Sequence, residues 1–214
     1  MISIVVPTMW KFAPFPDFLS EMADHHQVSD VILVNNSRDN TCAHRVMEHP
    51  KVTVFDFGQN IFVNPSWNLG MMHATSDLVC IVNDDVIFDL RLFDRIIEHW
   101  QDDHGVYGLC HLDHDGEDIK FLEHTSQNVF GFGQLMFVGK KNWIDIPPEL
   151  NVYYGDNFIF DYHKIKFNRN FLIANLLHYT PHAQTTRDFG SFLNQEGIEY
   201  AKICSDMKIY RIHL

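Results

Sequence analysis

The chain has 214 residues, a formal charge of −12, 46% hydrophobic content and 18 phenylalanines, which is enough for one substantial core and, on length, for one domain spanning 1–214. That acidity argues against a broad basic surface that binds nucleic acid by neutralising phosphates, and no apolar run approaches the roughly 20 residues that cross a bilayer. Met1 to Pro7 carries no basic segment ahead of its apolar one, so neither a signal peptide nor a membrane anchor is expected; four separated cysteines (Cys42, Cys80, Cys110, Cys204) without a C-x-x-C pair fit a reducing, cytoplasmic setting.

Ile2 to Pro7 is a short β-branched run and reads as a buried strand. Phe15, Phe18, Leu19 and Met22 then recur at helical spacing. Asp30 to Asn35, Val52 to Phe57 and Leu78 to Asn83 read as three further buried strands. Leu90, Phe93, Ile96, Ile97 and Trp100 form an apolar helix face that begins after a candidate N-cap, Asp89. Strand and helix alternate, so the strands pair in parallel through right-handed crossovers, and the fold class is an α/β, Rossmann-like sheet flanked by helices. Beyond residue 105 the pattern is less regular. Val106 to Leu112, Lys120 to His124, Leu135 to Gly139 and Phe171 to Ala174 read as short strands, with a bend at Gly131-Phe132-Gly133 and a loop at Pro147-Pro148. The expectation is a nucleotide-binding half, 1–105, followed by a smaller mixed half, 106–214.

In open α/β sheets ligands lie at the carboxyl ends of the strands. That rule selects Pro7-Thr8-Met9, Asn35-Asn36-Ser37, the region of Asn60, and Asn83-Asp84-Asp85. Asn-Asp-Asp also suits an ordinary turn. On an extended strand Asn83 and Asp85 project to one side and Asp84 to the other, and a carboxylate pair at a strand end can hold a cation.

These residues carry a resemblance. Ile4-Val5-Val6-Pro7-Thr8 is similar to the first strand of GT-A fold, family 2 type glycosyltransferases, and Val34-Asn35-Asn36-Ser37 stands where that family has a strand ending in Asp-Asp or Asp-Asn. Asn60 through Asn68, then Gly70, Ala74 and Asp77, resembles its Asn...Asn-x-Gly...Ala pattern. Ile81-Val82-Asn83-Asp84-Asp85 resembles its metal-binding Asp-x-Asp, and Gly155-Asp156-Asn157 its later Gly-Glu-Asp.

The resemblance implies an inverting, metal-dependent transfer from a nucleotide sugar, with a divalent cation, Mn²⁺ or Mg²⁺, stabilising the departing diphosphate. Asp85 would coordinate that metal, with Asn83 and Asp84 toward the ribose or the metal's waters. The base would sit over Pro7, Thr8 and Met9 with Asn35 at its polar edge, and Asn60 and Asn68 would belong to the donor site. UDP is the first expectation, although Asn35 offers a donor and an acceptor where the family's Asp offers only acceptors. Asp156 is the candidate base, Asp161 its alternative, and an N-cap at Asp156 the bland reading. His182, rather than His178, would join the metal, and Arg187 would close over the diphosphate. Gln134, Trp143, Tyr153 and Tyr154 lie where an acceptor pocket would form.

The acceptor stays open between a saccharide, a protein and a hydroxymethylated DNA base, the last kept by a local basic group of Lys140, Lys141, Lys164, Lys166 and Arg169. Two other classes stand beside this one. A nucleotidyltransferase would carry a Gly-rich basic loop after the first strand, which Met9 to Pro14 is not, and a non-catalytic sugar-nucleotide or glycan-binding module would not need both Asp85 and Asp156.

Overall fold

A computed structural model describes residues 1–37, 48–111, 118–180 and 189–210, with side chains as far as Met207. Three of the β-branched runs, from Ile2, Asp30 and Leu78, become largely buried strands, which is why they read as continuous rather than alternating apolar segments. The run from Val52, expected to be buried as well, instead forms an edge of the sheet and has no fully buried residue. β1 (Ile2–Thr8) is buried along its whole length and pairs in parallel with β2 (Val28–Asn35) on one side and β4 (Leu78–Val82) on the other. β3 (Val52–Asp56) adds in parallel to the outer side of β2.

The helices α1 (Phe15–Asp24), α2 (Val63–His73) and α3 (Arg91–His99) connect and cover these strands. Leu90 occupies the boundary position before α3, yet the capping is done by Asp89: its Oδ1 accepts the Arg91 amide at 3.0 Å and its Oδ2 meets the Arg91 guanidinium at 2.6 Å.

The second half extends the same sheet. β8 (Leu135–Gly139) lies antiparallel between β4 and β6 (Tyr107–Leu109), β9 (Asn170–Ala174) is parallel to β6, and β7 (Lys120–His124) closes the edge antiparallel to β9. Among the described residues the order is β3-β2-β1-β4-β8-β6-β9-β7, with β7 and β8 opposing the common direction. A two-residue antiparallel pair, β5 (Ile87–Phe88) with β10 (His178–Tyr179), sits beside it. Two more helices follow, α4 (Gly155–Lys166) and α5 (Phe192–Tyr210).

One core, with Phe15, Leu19, Phe93, Ile96 and Phe137, lies on the α1/α3 face. The other, with Val5, Trp67, Ile81, Phe158 and Ile159, lies on the α2/α4 face. Cys80 and Cys110 are buried free thiols, as their apolar runs predict. β6 ends at Leu109, short of the expected Leu112, and Leu112 itself lies outside the described residues. No helix among the described residues is long and apolar enough to cross a membrane.

Candidate active site

The ends of β1 and β4 are tied together by a carboxylate. Asp84 Oδ2 accepts the Thr8 hydroxyl at 2.7 Å and the Met9 amide at 2.9 Å, and Thr8 Oγ1 in turn accepts the Trp10 amide at 3.0 Å. Asp84 therefore braces the loop that follows the first strand. Burial raises its pKa, opposed by the bonds from Thr8 and Met9. Asp85, next in the chain, receives no hydrogen bond from any side chain among the described residues. Burial first, and the Asp84 charge second, push it up to about 6. Adjacent carboxylates, one of them held by Thr8 and Met9 and the other by no described side chain, form an oxygen site whose repulsion a divalent cation would relieve.

A cleft of about 460 Å³ opens at these strand ends, within the size range of small-molecule sites. The strand ends and the loops after them contribute Pro7, Thr8, Met9, Asn60, Asn83 and Asp85 to its lining. Later segments contribute Asn128, Phe130, Gln134, Tyr153, Asp156 and Asn157, and the Gln134 carbonyl accepts the Asn83 amide at 3.0 Å.

Asp156 occupies the first turn of α4, where the helix dipole favours an anion. Its Oδ2 accepts the Asn128 amide at 3.0 Å. Burial nevertheless raises its pKa, with Asn128 and neighbouring backbone amides acting in the opposite direction. The facing 3-10 turn, Phe132–Gln134, comes close enough that a Cβ on Gly133 would lie 2.7 Å from the Asp156 Cβ. The turn starts from Gly131 at φ +82°, a conformation that favours glycine.

The segment leading into α4 is held from two sides. Glu196 of α5, 2% exposed, accepts the amides of Asn151 (2.9 Å), Val152 (3.1 Å) and Tyr153 (2.7 Å). Asn64 of α2 donates to the carbonyls of Leu150 and Tyr153, both at 3.1 Å. Sequence reasoning missed both residues. Asn64 lies inside the Asn-rich stretch that drew attention, whereas nothing near Glu196 in sequence marks it.

Several expected site residues do other work. Asn35 is fully buried, and its Oδ1 accepts the Trp10 indole N–H at 3.1 Å and the Ser37 amide at 3.0 Å. Asn36, its neighbour, reaches the cleft instead. Asn68 lies outside the cleft: its amide pairs in both directions with the Ile146 backbone at 2.9 Å, because its position on α2 faces that loop. Trp143 lines a separate groove with Asn68, and Tyr154 stacks on Tyr200 at 5.1 Å.

Of the two carboxylates offered as base, Asp161 is engaged by the Tyr200 hydroxyl at 2.5 Å on the α4–α5 contact, and Asp156 is the one on the cleft. His178 has both ring nitrogens engaged, Nδ1 with the Leu176 carbonyl at 2.8 Å and Nε2 with His111 Nδ1 at 3.0 Å. His182 and Arg187 lie outside the described residues.

The basic group does not converge on the cleft. Lys140 reaches the Ala74 carbonyl and Lys164 that of Ser126, both at 2.5 Å, while Lys141 pairs with Asp102 at 2.5 Å and Arg169 with Asp103 at 3.1 Å. Lys166 lies over the Tyr162 and Phe167 rings. Another cluster, His25, His26 and Asp94, brings three ligand-type atoms within 4.8 Å, but just before β2, at the opposite end of the sheet from the cleft. There the Gln27 amide donates to His25 Nδ1 at 3.2 Å, which leaves the ring proton on Nε2 facing Asp94.

The model of the family described as Glycosyl transferase family 2 matches residues 3–171. No curated protein matches the chain in sequence. Among solved structures, S. aureus TarS 1-349 superposes with a TM-score of 0.61 at 17% identity, over 92% of this chain and 64% of that one. The same fragment in complex with UDP-GlcNAc gives 0.63 at 15%, over 87% and 60%. The mannosyltransferase PcManGT from Pyrobaculum calidifontis, in complex with GDP-Man and Mn²⁺, gives 0.64 at 15%, over 94% and 64%. The chain thus spans less than two thirds of the length of each of these neighbours, and at such identities their likeness speaks for the fold. With the sheet order, the strand-end cleft and the match over residues 3–171, the chain belongs to glycosyl transferase family 2 and has the GT-A fold.

Proposed function

We propose that the chain transfers a sugar from a nucleotide diphosphate sugar to an acceptor hydroxyl with inversion. The observation that carries this reading is that one cleft holds both Asp85, just after β4, and Asp156, at the start of α4. Asp156 takes the proton as the acceptor oxygen attacks the anomeric carbon and the bond to the diphosphate breaks; its raised pKa makes it a better base than an exposed aspartate.

Asp85 would hold Mn²⁺ or Mg²⁺, with His182 as a further ligand and Asn83 toward the ribose or the metal's waters. The cation supplies neutralisation of the leaving diphosphate. The oxygen-rich donor set and the upward shift at Asp85 fit such an ion. Asp84 acts on the donor indirectly, by fixing Thr8 and Met9 where the nucleotide would lie. Arg187 is assigned to the diphosphate.

Uridine diphosphate sugars are the first donors to test and GDP-mannose the second, since solved neighbours hold one of each. Asn35, committed to Trp10 and Ser37, supports the base site through that loop. Residues 1–105 and 106–214 share one sheet, which supports treating them as the donor and acceptor halves of one domain. The buried free thiols of Cys80 and Cys110 support a reducing, cytoplasmic setting.

The test is thermal stabilisation by UDP- and GDP-sugars with and without Mn²⁺. Saturating ligand at about 100 times its Kd adds about 2.7 kcal/mol. A shift that needs both nucleotide sugar and metal is expected. Asp85→Ala should lose the metal-dependent part, whereas Asp156→Ala should keep the shift and lose transfer. A folded protein that responds to no nucleotide sugar would overturn the reading.

A further inference from the structure

Phe130 is 88% exposed, on the lip of the cleft and two residues from the Asn128 that bonds Asp156. Single exposed apolar residues are common on protein surfaces. This one is distinguished by how firmly its loop is built. Asn128 Oδ1 accepts the Val129 amide at 2.9 Å, the Val129 carbonyl accepts the Phe132 amide at 3.2 Å, and the Gly131 carbonyl accepts the Gln134 amide at 3.0 Å. The His111 ring backs the phenyl group at 6.0 Å. The loop therefore holds an aromatic face in water beside the proposed base.

Asn128, Gln134 and Asn157 line the same cleft. Asn128 spends its amide nitrogen on Asp156 and its oxygen on the Val129 amide, and Gln134 Oε1 meets His111 Nε2 at 3.0 Å, which leaves the Gln134 amide nitrogen and the Asn157 amide, able to donate and accept, for a ligand. Asp156 stands beside them, and its charge disfavours an anionic acceptor; Lys11 lines the cleft from the loop after β1. A pyranose ring fits both features. Its C–H face is attracted by the negative face of an aromatic ring, and its neighbouring hydroxyls each need a donor and an acceptor.

We propose that Phe130 is the platform of an acceptor subsite for a neutral pyranose, stacked on the phenyl ring, with its hydroxyls read by Gln134 and Asn157. The proposal rests on the glycosyltransferase reading of the cleft and names the acceptor class for it.

The experiment measures initial rates for the full chain with Mn²⁺ and UDP-GlcNAc, UDP-glucose or GDP-mannose. The acceptors are methyl pyranosides and neutral disaccharides, set against a hydroxymethylcytosine oligonucleotide and a serine peptide. Transfer to a pyranoside is expected. Phe130→Ala should raise the acceptor KM about five- to tenfold with little change in kcat, and Phe130→Trp should restore the KM. Transfer only to the oligonucleotide or the peptide, or an acceptor KM that Phe130→Ala leaves unmoved, would overturn the assignment. Donor hydrolysis by the unaltered chain separates the two readings. If no donor is hydrolysed or bound, the glycosyltransferase reading itself fails; if a donor is hydrolysed and no pyranoside accepts, the acceptor assignment alone fails.

Discussion

Removing the charge at Asp85 should make the metal-free protein more stable, and by an amount that depends on pH. The group titrates at about 6 in the folded chain, against about 3.9 when unfolded. The fold therefore prefers the protonated form. Its contribution is fully present below about pH 4 and is lost as pH rises through about 6. The whole interval corresponds to about 3 kcal/mol, and solvent screening of a partly exposed carboxylate brings this to about 1–2 kcal/mol.

Asp85→Asn should accordingly stabilise the metal-free chain by about 1–2 kcal/mol at pH 7.5 and leave it nearly unchanged at pH 4. Mn²⁺ reverses the order. It competes with the proton, so its affinity for the unaltered chain should fall about tenfold between pH 7.5 and pH 5, and the variant should not respond to it. Urea denaturation of both proteins at pH 4, 5 and 7.5, with and without Mn²⁺, measures all of these quantities. The reasoning is refuted if Asp85→Asn destabilises the metal-free chain at pH 7.5, or if Mn²⁺ binds equally well at pH 5 and pH 7.5.

Gly133→Ala places a methyl group 2.7 Å from the Asp156 Cβ. Steady-state assays should show a fall in kcat of about tenfold or more, while the thermal shift with donor persists. Glu196→Gln removes the charge that three backbone amides share. It should lower stability by about 2–3 kcal/mol, read as a drop in Tm of about 5–10 °C by calorimetry; a Tm within 1 °C or so of the parent would show that these bonds matter little.

The central strands were legible because burial on both faces leaves a bare apolar signature, as in β8, which has the bounds that the pattern predicts. β7 also has its predicted bounds, although as an edge strand it buries no residue fully. α2 was not, because its buried face carries Asn64 and Ser66 beside Trp67 and Met71, which blurs the helical period. α5 hid for a similar reason, having few apolar residues at regular spacing.

At the cleft, the pattern around Asp85 and Asp156 pointed to residues that do line it. Asparagines are harder to place. The same amide that reads a ligand can bond a backbone, and Asn35 and Asn68 were taken for that second use by Trp10, Ser37 and Ile146. A bond such as that from Glu196 to Asn151 spans 45 residues and leaves no local trace.

That bond also bears on where a working unit can be cut. The span matched by the family ends at residue 171, and Glu196 lies beyond it. A fragment trimmed to the matched span would keep Asp85 and Asp156 yet strand the amides of Asn151, Val152 and Tyr153 without their acceptor. During synthesis, likewise, this wall of the cleft cannot set until α5 has left the ribosome, so catalytic competence should arrive with the last helix rather than with the last residue of the family signature.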